Sequence, residues 1–86
     1  MNTPINESVS VITLYDAKNK IVIPKKIKWQ NREYIISKLA YHHKTRIGRN
    51  IIHIFHVTSD DIDFRLRLDT ETLYWTLEEI YDGTSF

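Results

Sequence analysis

The chain has no cysteine, only two glycines and two prolines in 86 residues, and no run of 18 consecutive apolar residues. Without cysteine there is no disulfide framework and no thiolate metal site, so packing alone must hold the domain, as suits a reducing cytoplasm. The lack of a long apolar run excludes a membrane-spanning helix, and the opening residues Met1 to Ser8 (MNTPINES) lack the basic and apolar regions of a signal peptide. We therefore expect a cytoplasmic protein with no membrane partner. Scarce glycine and proline also argue against a low-complexity chain. Catalytic signatures are missing too: there is no glycine-rich phosphate loop, no glycine-flanked serine and no HExxH. Asp60-Asp61 and Glu78-Glu79 are the only paired carboxylates, and Ser37, Ser59 and His53 form a nucleophile and base in name only. The expectation is a non-enzymatic domain without a cofactor.

What the chain does have is ten aromatic residues (five Tyr, three Phe, two Trp) and many Ile, Val and Thr. That suffices for the single core of one small domain, which at this length buries about 60 to 65% of its unfolded surface. Its charge is lopsided. Residues 18 to 58 hold ten Lys and Arg against the lone Glu33, together with all four histidines, whereas from Ser59 onward Arg65 and Arg67 face eight acidic residues. Near-neutrality overall, at +1, conceals a basic middle and an acidic end. Such a split is a footprint of polyanion binding, although basic and acidic strands can also pair within one sheet.

Apolar residues recur at every second position between short polar breaks, the period of β-strands. Residues 1 to 8 read as a flexible tail, 9 to 82 as one β domain and 83 to 86 as a second tail. A strand over Val9 to Tyr15 is followed by a turn at Asp16 to Asn19 and a short strand ended by Pro24, which marks an edge or a bend. A two-residue turn at Gln30-Asn31 predicts a hairpin pairing Trp29 with Arg32, Lys28 with Glu33 and Ile27 with Tyr34. The strand after it runs from Glu33 to Tyr41, and Tyr41 to Asn50 (YHHKTRIGRN) reads as a basic connection. Ile51 to Thr58 is apolar at both parities, as expected of a central strand covered on two sides.

Ile62, Phe64, Leu66 and Leu68 alternate with charged residues, and a turn at Asp69 to Thr72 would pair Leu68 with Leu73, Leu66 with Trp75 and Phe64 with Leu77. That register also sets Arg65 diagonal to Glu78 and Arg67 against the Tyr74 ring. For Thr72 to Tyr81 a strand is expected, with a short C-terminal helix capped by Thr72 as the alternative, since Leu73, Leu77 and Ile80 also fit a helical stripe. The predicted fold is all-β: an antiparallel meander of five to seven short strands curled into a half-open barrel.

Nucleic-acid binding needs cations spaced along phosphates and exposed rings on which unpaired bases stack. Lys26, Lys28, Arg32, Lys44, Arg46 and Arg49 are the candidate cations, with Trp29 and Tyr41 as stacking candidates. The competing reading makes Lys26 and Lys28 a solvated face that protects an edge, and Trp29 and Tyr34 part of the core. His42, His43, His53 and His56 invite a metal site, but neighbours of opposite parity point to opposite faces of a strand, so no metal is expected.

Pro24-Lys-Lys-Ile-Lys-Trp-Gln-Asn-Arg-Glu-Tyr-Ile-Ile36 and Phe64-Arg-Leu-Arg-Leu-Asp-Thr-Glu-Thr-Leu-Tyr-Trp-Thr-Leu-Glu-Glu79 resemble small uncharacterised bacterial β domains of unknown function. In those domains a proline precedes an aromatic strand ending in Trp, a short turn with Arg and a Tyr strand, and later an aspartate turn leads into Trp-x-Leu. Related domains sit beside translesion-type DNA polymerases, so the resemblance implies an accessory role near DNA. This chain has Asn31 where that pattern usually has Gly. Two functions follow as expectations: a small nucleic-acid-binding module, or a protein-interaction domain that meets a partner or forms a homodimer through an unpaired edge strand.

Overall fold

A computed structural model describes residues 2 to 82, and of Asn2 and Asp82 the backbone only. The expected tail at 83 to 86 lies outside the described residues. Eight antiparallel strands follow one another: β1 (Asn2–Ser8), β2 (Ser10–Asp16), β3 (Ile21–Trp29), β4 (Arg32–Ile35), β5 (Lys38–Ile47), β6 (Asn50–Ser59), β7 (Ile62–Asp69) and β8 (Trp75–Asp82). They form a five-stranded sheet in the order β1-β8-β7-β6-β5 and a three-stranded sheet in the order β2-β3-β4. The chain changes sheet at two corners. Val9 turns β1 into β2 while its N–H donates to the Trp75 carbonyl at 3.1 Å; Ile36 and Ser37 turn β4 into β5 with N–H bonds to the carbonyls of Lys25 (3.0 Å) and Thr58 (2.8 Å). Each bend thus keeps its backbone polar groups satisfied while leaving one sheet for the other, as at the corners of orthogonal sandwiches. The result is the half-open, all-β meander that alternation implies. Among the described residues no helix is long and apolar enough to cross a membrane.

One face of the five-stranded sheet and the inner face of the three-stranded sheet enclose the core. Phe55 and Val57 from β6, Phe64, Leu66 and Leu68 from β7 and Leu77 from β8 pack there around Ile27 of β3, with Ile5, Val9, Trp29, Tyr34, Leu39, Trp75 and Ile80 at its margin. Alternation places Lys26 and Lys28 outside and Ile27 inside, and the β3–β4 register is the one expected, Trp29 with Arg32, Lys28 with Glu33 and Ile27 with Tyr34. β6 is buried at both parities and flanked by β5 and β7, although β7 is the middle strand.

Five sequence-based expectations differ from the structure, each for an identifiable reason. Residues 2 to 8 are not a tail: they pair with β8, with a bulge between Pro4 and Glu7 that accommodates the proline, and Ile5 reaches the core. Pro24 does not end its strand, because β3 runs through it at a bulge where Ile12 pairs with Lys26 and Thr13 with Pro24, leaving Lys25 as the extra residue. Glu33 to Tyr41 is broken at Ile36–Ser37 by the sheet change. Tyr41 to Asn50 is not a loop; β5 continues to Ile47 and returns through the two residues Gly48-Arg49, with Gly48 at φ +63°, the position where type II′ hairpins place glycine.

The fifth concerns β8, a strand as expected, whose register is shifted by two residues. Asp69 stands at the base of the turn rather than within it: its Oδ1 accepts the N–H groups of Glu71 and Thr72 and the side-chain amide of Asn50, while Leu73 adopts φ +63° to close the loop. Leu68 therefore faces Trp75, Leu66 faces Leu77, and Phe64 faces Ile80 beyond a bulge at Glu78, leaving Leu73 exposed. The cation–π contact expected between Arg67 and Tyr74 is absent for the same reason. Arg67 faces Thr76, and its Nη1 lies 3.4 Å from Glu78 Oε2.

Candidate nucleic-acid interface

Strand parity distributes the candidate cations over different surfaces. Lys26 and Lys28 lie on the outer face of the three-stranded sheet, and Lys26 Nζ is 3.3 Å from Glu33 Oε1. Trp29 points the other way: half-buried, 6.3 Å from the Tyr34 ring, it donates its indole N–H to Glu7 Oε1 at 3.2 Å. The ring packs at the margin of the core. Arg32 lies over the Tyr34 ring at 5.5 Å. Lys44, Arg46 and Arg49 gather at the far end of the β5–β6 hairpin, where Lys44 opposes His53 and Arg46 opposes Ile51. Lys44, Thr45, Arg46 and Ile51 border a shallow depression of about 240 Å³.

On the opposite side of β5, Tyr41 is exposed and its ring lies 5.2 Å from His43 and 5.7 Å from His56. The outer face of the five-stranded sheet continues from there through charged groups. Arg65, opposite His56, has Nε 2.9 Å from Glu78 Oε1 without an N–H aligned on it, and Glu78, placed by the β8 bulge, also holds Arg67. Tyr81 donates its hydroxyl to Glu79, which holds the phenol above its usual range. Ile52 and Ile54, between Thr45 and Asp69 and between His43 and Arg67 across the strands, are buried although they face away from the core, so both parities of β6 are covered. His43 Nδ1 is buried there without a hydrogen-bond partner.

The histidines form two cross-strand pairs that periodicity did not reveal. His42 and His53, on the core side of β5 and β6, are stacked, with Nε2 and Nδ1 2.8 Å apart, and His42 also lies on Phe55 at 4.6 Å. Burial, then the nearby positive groups, keep both imidazoles below the ordinary histidine range, and burial followed by Arg65 does so for His56. A hydrogen bond between two neutral rings accounts for the 2.8 Å contact, one nitrogen donating and the other accepting. Among the described residues no three His or acidic side chains converge in a metal-binding group. No protein-family model matches the chain, and comparison with curated proteins and with solved structures finds no similar protein.

Charge neutralisation separates the surfaces. Lys26, Arg65 and Arg67 each have a carboxylate within ion-pairing distance, whereas among the described residues Lys44, Arg46 and Arg49 have none. Cations without an ion-pair partner thus gather on edge strand β5 and its turn, with Lys38 further along the same strand. The signal that could have located this hairpin is Gly48. A two-residue turn at Gly48-Arg49 pairs Lys44 with His53 and sets His42 diagonal to it.

Proposed function

We propose that this domain is a non-enzymatic intracellular binding module that holds single-stranded or structured nucleic acid along β5 and the Gly48-Arg49 turn. The observation that carries this reading is the gathering of three cations, Lys44, Arg46 and Arg49, at one end of a single hairpin with no carboxylate within ion-pairing distance among the described residues. A nucleic-acid strand laid along this edge meets Lys44 and Arg46 on one side and the exposed Tyr41 ring on the other, phosphate attraction and base stacking from a single element. Resemblance to domains found beside translesion-type polymerases is consistent with a role near DNA. Lys26, Lys28, Trp29 and Arg32 are outside the proposed contact, because three of them are engaged internally and Lys28 lies on the other sheet.

Fluorescence anisotropy with labelled single-stranded and duplex DNA and RNA tests it. With about three phosphates neutralised, affinity should fall roughly 20-fold between 50 and 200 mM salt on a single strand. Arg46→Glu/Arg49→Glu should abolish most binding and Tyr41→Ala should weaken it at least several-fold, whereas Lys26→Glu/Lys28→Glu should leave most of it. Binding unchanged in the Arg46/Arg49 variant, or lost equally in both charge-reversed variants, overturns the assignment. The second reading, a protein-interaction domain, is favoured by a different strand.

A further inference from the structure

Four strands end a sheet, β1 and β5 in one and β2 and β4 in the other. A free edge carries unpaired N–H and C=O groups that template another strand, and proteins blunt such edges with proline, charge, bulges or shortness. Three of the four edges are blunted. β1 contains Pro4, a bulge and Asn6 at φ +56°; β5 carries Lys38, Lys44 and Arg46 and is bulged at Ala40; β4 has only four residues, two of them charged. β2 is the exception. Its seven residues, Ser10-Val-Ile-Thr-Leu-Tyr-Asp16, include no proline, no glycine and no charge before the last, and the bulge in its pairing falls on β3.

The same strand exposes apolar surface where a solitary domain gains nothing from it. Ile12, Leu14 and Tyr15 are 59%, 49% and 62% exposed. Ile12 and Leu14 face outward, whereas Val11, Thr13 and Tyr15 face the side of the five-stranded sheet, where Val11 opposes buried Ile27. At the Val11 end that side opens into a cleft of about 440 Å³ lined by Val9, Val11, Leu73, Tyr74 and Trp75, with Leu73 and Tyr74 themselves largely exposed.

We propose that β2 is a self-association edge onto which a second copy of this chain adds its own β2, antiparallel about a twofold axis at Thr13, joining two three-stranded sheets into one of six. Centring on Thr13 uses all seven residues and sets Ile12 against Leu14 of the second copy, Val11 against its Tyr15 and Ser10 against its Asp16. Val11 and Tyr15 are equidistant from Thr13, so each copy's exposed tyrosine enters the apolar cleft beside the other's Val11. Ile12 and Leu14 of the two copies make a continuous apolar stripe on the outer face. Lys28 is the β3 neighbour of Ser10, so each Asp16 carboxylate arrives beside a lysine of the other copy. Tyr15 and Asp16 lie on β2, and the cleft beside Val11 and the Lys28 of β3 that receive them sit at the spacings a twofold axis requires, the self-complementarity that isologous interfaces need. That is why the occupant is a second copy rather than a foreign strand. The inference is independent of nucleic-acid binding.

Sedimentation velocity across a concentration series, without nucleic acid, should show the mass double. Leu14→Lys and Tyr15→Ala should return the protein to monomer with an unchanged circular-dichroism spectrum, since both side chains are exposed. A geometric check uses the absence of native cysteine. Facing Cα atoms of antiparallel neighbours lie about 4.5 to 5.5 Å apart, within disulfide reach, so Thr13→Cys should form a covalent dimer under mild oxidation and Thr45→Cys, exposed on β5, should not. A monomer at every concentration up to about 0.5 mM, with Thr13→Cys cross-linking no faster than Thr45→Cys, overturns the proposal, as that range would reveal even a weak dimer by mass action. A dimer that survives Leu14→Lys and is not trapped by Thr13→Cys overturns it equally, because association would then use another surface.

Discussion

Single residues in unusual backbone conformations fix where the strands turn. Gln30 and Asn31 both have positive φ (53° and 61°), the requirement of a type I′ hairpin, and neither is glycine. Relief of that strain at the second position should make Asn31→Gly stabilising by about 0.5 kcal/mol in urea denaturation, the residue's extra freedom when unfolded limiting the gain; a clear loss would contradict the turn assignment. The histidines set a pH limit. His42, His53 and His56 take up protons less readily folded than unfolded, so their stabilisation is complete above pH of about 6.5 and is lost as pH falls through their lowered values. The melting midpoint should therefore drop between pH 7.5 and 5.5, and His42→Gln/His53→Gln should flatten that drop without abolishing it, since His56 remains. An identical slope in the double variant would remove the pair from the account. Asp16 and Asp69, held low chiefly by side-chain bonds from Asn19 and Asn50, act in a separate window, as pH falls below the ordinary carboxylate range.

At the scale of elements, β8 separates the two kinds of stabilisation on adjacent residues. Leu77 is fully buried against the core, and Glu78, bulged to the other face, bridges Arg65 and Arg67 with its side chain 16% exposed. Leu77→Ala should cost about 2 to 5 kcal/mol by removing core volume. Glu78→Gln should cost about 1 kcal/mol, because both arginines remain partly solvated, and a larger loss at Glu78 would show that the charged cluster, not the core, holds β8. The strands that could be read from sequence are those whose alternation is clean and whose turn is short: β3 with β4, and β7. Those that could not carry their pattern elsewhere. β1 shows a single core residue, Ile5, amid polar ones and exists because β8 offers it an edge. β5 has histidines and cations at both parities, so its strand character comes from pairing with β6. The β8 register depended on Asp69 binding backbone N–H groups and on Leu73 at positive φ, neither of which alternation encodes.

For the whole molecule, the same alternation explains why a basic segment of sequence is not a basic surface. Lys26 and Lys28, only a few residues from Arg32, turn outward on one sheet, while Lys44 and Arg46 belong to the other, and of these only Lys26 has a carboxylate within ion-pairing distance among the described residues. The candidate cations were legible one by one; their grouping was not, because it depends on which sheet each strand joins and on β5 continuing to the Gly48-Arg49 turn. One feature of the topology also bears on how the protein is made. Thr3 pairs with Ile80, so the five-stranded sheet joins the first described strand to the last. A ribosome releases β1 long before β8 exists, and until then Ile5 has no edge to pair with and Leu77 no core to complete. Pairing this distant in sequence is slow to find, so the nascent chain spends its synthesis with a half-built sheet whose closing strand arrives last.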